Sequence, residues 1–488
     1  MTRGVGMQEV ELLDADAPTD AVRARLSRRQ RRPIVVGSVV LALALAATQG
    51  VAAAQERAAV ARLSAMPGVL APVDATLTVT RRVPADDTDQ LVGNAGGLHV
   101  DDDGAQSYTW VGDAADDPGW TVEVLGATPA LADNAGHVIA STSCLPDEEP
   151  GGRPGRSSRV VCLVTDGGLI VDGGGGIARV PSTVRRVVVL SAADGSVVAR
   201  WPVDRGDSMA LLPGLVVLGS GSAHDSTVTA HDVLTGEQRW THVDRVADGL
   251  GYSGGDVVNV SVFRTGDLIA YSPPSRSLLL LAADGTVVRN LADEARGDSW
   301  GWSTDPRHGS LVLHSQDGAG ATRSTFLAPD GDPAADVTVD GRPVELSVDD
   351  GSVPGLLLTA NSELRAWDAG TGTARWSHEG SAVTGALVVR GRVYVASSLG
   401  VVALDGRSGR TLWASATEDG PVVGPPLTDG RHVLVPFANA EPVLVAYDPV
   451  SGREEFRTGY PAGVAEVGPA GRLLVGRDSR TGDAVVLG

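Results

Sequence analysis

Lysine is missing from this chain, so all 40 basic residues are arginine. Schiff-base chemistry, a lysine general base and a Walker phosphate loop are excluded with it. Aromatic side chains make up only 4% of the sequence, whereas glycine occurs 62 times and proline 28 times. Such a composition suits many short strands joined by tight turns. Cysteine occurs twice, at Cys144 and Cys162, with no adjacent pair. The nine histidines are scattered, with no His-Glu-x-x-His, so a zinc site has no support in the sequence. Positive charge is in deficit: beyond residue 32 there are 33 arginines against 55 acids, a formal charge of −22. Nucleic-acid binding is excluded on that ground. The acidity favours solubility and cationic or metal partners, although a solvated rim of turn aspartates accounts for it equally.

What is present is a repeat. Asp232, Gly236 and Trp240 recur as Asp368, Gly372 and Trp376, as Asp405, Gly409 and Trp413, and as Asp448, Gly452 and Phe456. In each, an apolar strand ends at the aspartate, a glycine follows four residues later and an aromatic ring lies four beyond that. The unit is a β-hairpin: the aspartate can accept turn amides, the glycine can adopt positive φ, and the ring offers a flat face for a neighbouring unit to bury. Two more strands precede each hairpin, such as residues 386–389 and 393–397 around Arg390-Gly391-Arg392.

Four strands per unit fit the blade of a β-propeller. The turn aspartates Asp194, Asp232, Asp284, Asp330, Asp368, Asp405 and Asp448 are spaced by 37 to 52 residues. Asp194-Gly195, Asp284-Gly285 and Asp330-Gly331 read as tighter, degenerate turns. With a hairpin around Trp110 and Trp120 and a last turn from Asp478 to Gly482, the count is seven to nine blades, with eight favoured. Pairing of residues 76–80 with 484–487 would close the ring and remove two sheet edges.

These strands, the Ala-Leu-Asp endings, the Thr-Gly or Ser-Gly turns and the closing Leu-Trp resemble the PQQ-like repeat, best over residues 360–456 and less well over 183–240. That repeat is shared by quinoprotein dehydrogenases and by non-enzymatic outer-membrane-assembly propellers. The resemblance implies an all-β, PQQ-like β-propeller of about eight four-stranded blades, and says little about activity. For the dehydrogenases it also implies pyrroloquinoline quinone with Ca²⁺, a catalytic aspartate and typically a vicinal cysteine pair. The adjacent cysteines and the long aromatic-rich insertions of that branch are missing here, so no cofactor is expected, and the quinone-dependent oxidoreductase is the alternative.

The N-terminus differs in character. Pro33 to Ala54 is a 22-residue stretch without a charged side chain, enough to span a ~30 Å hydrocarbon core. Arg23, Arg25, Arg28, Arg29, Arg31 and Arg32 precede it, so the positive-inside rule puts the N-terminus in the cytoplasm and the propeller outside. The expected organisation is a cytoplasmic tail (1–32), a single transmembrane helix (33–54), a linker (55–73) and an extracytoplasmic propeller (74–488). A cleaved signal peptide is the alternative, because residues 51–54 are small enough for a signal peptidase. Antiparallel pairing of the strands on either side of a Pro/Gly-rich loop would bring Cys144 and Cys162 together as a disulfide stapling a peripheral hairpin, which an oxidising exterior permits. Independent buried thiols are the other reading.

Other motifs carry less. Gly251-Tyr252-Ser253-Gly254-Gly255 matches a nucleophile elbow formally, but a propeller loop offers no strand-to-helix turn to expose the serine. Asp101-Asp102-Asp103 and Asp330-x-Asp332 could offer oxygen ligands to Ca²⁺, although turn capping explains them. Gly173 to Gly176 reads as an inter-strand loop. No catalytic or metal-ligating residue is named. The expected function is a monomeric, membrane-anchored, non-catalytic scaffold binding a protein or cell-envelope component, with specificity in the irregular stretches 84–126, 145–158 and 241–275.

Overall fold

The repeating turn builds the molecule. In the computed structural model Asp405 Oδ1 accepts hydrogen bonds from the backbone N–H groups of Arg407 and Ser408 and from the Ser408 hydroxyl. Asp232, Asp368 and Asp448 cap their turns in the same way. The glycine four residues on has φ near +70° in all four turns, a conformation that costs a residue with a Cβ. The described residues are 57–488 apart from 67, 84–95, 111–118, 129–137, 141, 148–156, 172–176, 222–224, 246–259, 274–277, 292–298, 306–308, 319, 381–382, 398–399, 417–419 and 439–440. Pro33 to Ala54 lies outside them, and among the described residues no helix is long and apolar enough to cross a membrane.

The described strands form nine blades rather than eight, spanning 96–125, 143–202, 208–245, 261–290, 299–340, 342–379, 383–416, 427–459 and 464–487 with Val79–Val83. Blade 1 shows three strands, and blade 2 carries an inserted three-stranded sheet of Val138–Ala140, Gly168–Val171 and Ile177–Val180. Blade 7 has a fifth strand, Leu346–Asp349, running parallel to its first. Blade 7 otherwise shows the plan: Val383–Val389, Arg392–Ser397, Gly400–Asp405 and Thr411–Ala416 pair antiparallel in chain order. Its middle strands are buried on both faces, Val393, Ala396, Val401, Ala403 and Leu404 being inaccessible, because neighbouring blades cover both sides.

The ninth blade is completed by the N-terminal part of the chain. The Asp478 to Gly482 turn joins its second and third strands, not its third and fourth, and the fourth strand comes from the N-terminus. Val79–Val83 pairs antiparallel with Ala484–Leu487, and Thr78 exchanges hydrogen bonds with Gly488. Closure thus lies three residues later than 76–80. The Trp110 and Trp120 hairpin belongs to a separate sheet. Arg82 donates to Asp478 at 2.6 Å across the junction, and the Asp478 side chain is only 2% exposed.

Residues 60–73, expected as part of a linker, pack into the propeller. Leu63, Val69, Leu70 and Val73 are buried against blades 7 to 9. Val69 makes a parallel bridge with Thr428, Ala71 N donates to Arg472 O and Val73 N donates to Asp429 Oδ2. Asp429 also holds His432 Nδ1 at 2.9 Å. The lead therefore crosses the face that carries the first-to-second and third-to-fourth strand turns.

Two outcomes are expected. The Arg82 guanidinium, with the Arg480 amide, holds the Asp478 carboxyl down at about 2. Because its folded-state value lies below the ordinary carboxylate value of about 3.9, the stabilisation is present above pH 4 and lost as pH falls toward 2. Asp478→Asn should lower the melting temperature at pH 7 and flatten its decline between pH 4 and 2; an unchanged pH profile would show that closure does not use this pair. Trp413→Ala should cost about 3 kcal/mol in denaturant unfolding, whereas the exposed Trp302→Ala should cost about 1 kcal/mol or less.

Candidate functional site: the seams between blades

The aromatic of each repeat is a latch onto the next blade. Trp120, Trp201, Trp240, Trp376 and Trp413 each donate their indole N–H to a backbone carbonyl of the following blade, at Ala192, Val233, Ala283, Gly406 and Pro449. Distances run from 2.7 to 3.2 Å. Each acceptor is the residue just after the one that opens the third-to-fourth strand turn. The indole face lies on that turn's glycine: a Cβ on Gly195, Gly236, Gly285, Gly409 or Gly452 would come within 2.7 Å of the ring. Glycine is required there twice over, by φ and by contact. Asp194-Gly195 proves to be a full-length turn, since Gly195 N donates to Ser191 O and Ser191 occupies the place of Asp232. Asp284-Gly285 and Asp330-Gly331 are one residue shorter, with Gly285 and Gly331 donating to Ala282 and Ala328.

Not every seam is closed this way. In blade 4 the ladder position opposite Leu280 is Arg289, matching Trp413 opposite Ala403 in blade 7. Arg289 is buried, and its guanidinium reaches Asp336 Oδ2 of blade 5 at 2.6 Å, so an ion pair replaces the ring. Asp336 Oδ1 accepts from Ala328 N. Between blades 5 and 6 no indole of blade 5 lies on the blade 6 turn; Arg365 pairs with Asp340 across the seam at 3.4 Å, and Trp367 is buried there with Phe326 and Val339. The last strand of blade 5, Val337–Asp340, has no aromatic residue, and Gly372 meets Val337, Val339 and the Thr338 carbonyl. Phe456 and Gly482 also fail to form a latch, because Gly482 sits in the second-to-third strand turn with nothing near its Cβ position. The Phe456 ring instead meets His432 edge-on.

Two cavities follow the seams. One, of about 250 Å³, lies between blades 6 and 7 on the face away from the aspartate turns; Leu364, Val383, Val395 and Val402 line it, with His378 and Glu379 at its mouth. The other, of about 450 Å³, opens on the aspartate-turn face across blades 4 to 6. Its floor is Phe326, Val337, Leu357 and Ala369, and Asp267, Asp305 and Asp330 stand among its walls. Away from both, Trp302 is 42% exposed and stacks on Phe263 with centroids 4.3 Å apart. Ser303 Oγ, His314 and Ser324 form a chain that ends on the Gly341 carbonyl, and burial followed by the charge of Arg342 holds the His314 imidazole below its usual value.

The sequence-flagged residues are structural where they are described. Cys144 and Cys162 stand opposite one another in the first two strands of blade 2, Cα atoms 4.0 Å apart, and form a disulfide. The bond is buried with Tyr108, Trp110 and Val188 at the blade 1 and 2 seam, not on a peripheral hairpin. Asp103 caps Ala105 N; Asp330 accepts from Asp332 N, and Asp332 caps the short turn Pro333–Ala335. Gly251 to Gly255, Gly173 to Gly176 and much of the 84–126, 145–158 and 241–275 stretches lie outside the described residues. The two cysteines pair with each other across adjacent strands, and among the described residues no three His, Cys, Asp or Glu side chains gather as metal ligands. Sequence reasoning missed the cavities and Arg289; the only signal was a missing aromatic after Gly285 and Gly331.

If the buried ion pair substitutes for a latch, Arg289→Ala should cost roughly 3–5 kcal/mol by stranding Asp336. The Arg289→Ala/Asp336→Ala double variant should recover part of that loss in denaturant unfolding; strict additivity would show that the two are not coupled.

Residues 299–424 and 397–486 match a family described as outer membrane protein assembly factor BamB. No curated relative matches the chain. Among solved structures, BamB from Moraxella catarrhalis is 18% identical, covers 62% of this chain and 88% of its own, with a TM-score of 0.35. The C-terminal WD40 domain of Sif2 is 13% identical over 85% of this chain and 99% of its own (TM-score 0.38). The computationally designed Ika8 protein is also 13% identical, over 86% and 99% (TM-score 0.32). The family match places residues 299–486 among the PQQ-like β-propeller repeats, in a chain whose antiparallel blades are joined by indole latches.

Proposed function

We propose that this chain is a non-catalytic binding propeller, anchored in a membrane by residues 33–54 with the propeller outside, which holds a protein partner of the cell envelope without a bound cofactor. The observation that carries the reading is the groove between blades 6 and 7. Its walls are aliphatic, and at about 250 Å³ it is smaller than the roughly 300–1,000 Å³ of small-molecule sites and suits one or two anchoring side chains. It opens on the face opposite the one crossed by the N-terminal lead, so an anchored propeller would present it away from its own entry segment. The buried disulfide is in keeping with an oxidising exterior, and the matched family is described by an assembly role.

A photo-reactive amino acid at Ser415, which lines the groove, should give a discrete protein adduct in intact cells. Val402→Asp should reduce that adduct about tenfold, while the same probe at the rim residue Val197 gives none. Equal patterns from both positions would sink the groove as the binding surface, and saturable binding of pyrroloquinoline quinone with Ca²⁺ would sink the non-catalytic reading. Deleting residues 33–54 should release the protein from the membrane fraction.

A further inference from the structure

We infer that Ser303, on the first strand of blade 5, is a nucleophile activated by His314 and accepts the acyl group of a small carboxylic ester. The strand register brings the parts together. His314 stands opposite Gly301 on one side and Ser324 on the other, and Ser303 lies two residues along from Gly301. Side chains alternate along a strand, so Ser303, His314 and Ser324 share one face of the sheet. Ser303 Oγ is 2.6 Å from His314 Nε2, and His314 Nδ1 is 3.0 Å from Ser324 Oγ. Ser324 donates its own proton to the Gly341 carbonyl at 2.6 Å, so toward the imidazole its oxygen accepts, and Nδ1 carries the ring proton. Nε2 is left with its lone pair, and the Ser303 hydroxyl donates to it. A hydroxyl on a base whose other nitrogen is held by a third group is the arrangement that activates a serine.

The surroundings leave room for a reactant. A Cβ on Gly301 would meet nothing within 4 Å, so open space lies directly opposite the imidazole and on the same face as Ser303. Ser303 is only partly buried. A ladder that merely joined three strands would gain nothing from space at that position. Burial, then the charge of Arg342 from blade 6, keeps the imidazole neutral and able to take a proton at pH 7, and the same cation favours the negative charge that develops on an attacked carbonyl oxygen. In the step, Ser303 Oγ bonds to the ester carbonyl carbon while its proton passes to Nε2. The bond from that carbon to the alcohol oxygen breaks, and the departing alkoxide takes the proton back from Nε2, leaving an acyl-serine and a free alcohol. The chemistry ends at the acyl-serine and needs no turnover. It stands apart from the groove between blades 6 and 7, whose failure as a binding surface would leave it untouched.

The test is to treat the full chain with p-nitrophenyl acetate, following nitrophenolate release and locating the acetyl group by peptide mass. Background is low because the chain has no lysine and its two cysteines are bonded to each other. One acetyl group on Ser303 is expected. Ser303→Ala should remove it, and His314→Gln should slow its formation about a hundredfold. Ser324 is a positioning residue: Ser324→Ala should slow the reaction, and Ser324→Thr, which keeps the hydroxyl, should restore it. In the unaltered chain the rate should rise with pH through one inflection below the ordinary histidine value of about 6.5, and Arg342→Ala should move that inflection upward. Should the variants fail to fold, this profile still decides the matter. No acetyl group on Ser303, an undiminished rate in folded His314→Gln, or a profile without the inflection would each overturn the inference.

Discussion

The packing of an indole on a glycine of the next blade is the contact on which the ring depends. A blade cannot bury its own outer aromatic, and the following blade cannot fill the concavity over a turn that must be glycine. Each supplies what the other lacks. A tryptophan that buries on the order of 150–250 Å² contributes about 4–6 kcal/mol at ~25 cal/mol per Å², before the hydrogen bond that fixes its angle. That bond selects one orientation of the ring, so the latch sets the spacing and rotation of neighbouring blades as well as stabilising them. A chain with only 4% aromatic residues can still build a large propeller because five of its nine tryptophans act at seams.

Departures from the latch are as informative as its instances. Arg289 and Asp336 keep blades 4 and 5 together by charge-assisted hydrogen bonding in a site from which water is excluded. Such a pair gains little over a hydrophobic contact once desolvation is counted, but it is costly to break by halves. At the next seam Val337 and Val339 approach the turn from blade 5 without reaching across its surface, and the cavity is the volume that remains. The residues that define the repeat are consumed by architecture, and the larger cavity lies where the repeat is incomplete.

This division explains what could be read from the sequence. The Asp-x-x-x-Gly turn with its following aromatic was legible because aspartate capping, positive φ and a large ring are local requirements written in adjacent residues. The disulfide was legible because strand pairing dictates which cysteines meet, although its burial at a seam was not, since that depends on the blade beside it. Nine blades stand at the upper end of the seven to nine expected, and Asp478 to Gly482 copies the local chemistry of the third-to-fourth strand turn while occupying a different place in its blade. Asp194 misled in the opposite sense: its turn keeps the full length, with Ser191 Oγ accepting from Ala193 N and Asp194 accepting from Ser196. The cavities are absences created by tertiary contact, and Arg289 resembles any strand arginine until the ladder register puts it in a tryptophan's place.

Closure couples the two ends of the chain more tightly than a single added strand would. Val79–Val83 supplies the outer strand of blade 9, and Arg82 binds a nearly inaccessible Asp478 within it. Upstream, residues 60–73 are pinned at the Thr428 backbone, at Arg472 and at Asp429, where the carboxylate serves Val73 and His432 together. These contacts lie 356 or more residues apart in sequence for both Val73 with Asp429 and Arg82 with Asp478. Loop-closure entropy must be met before any of them forms, so the last blade can be completed only when the preceding blades have stacked. The lead then fixes one half of the aspartate-turn face as structure and leaves the other half, over blades 4 to 6, as surface.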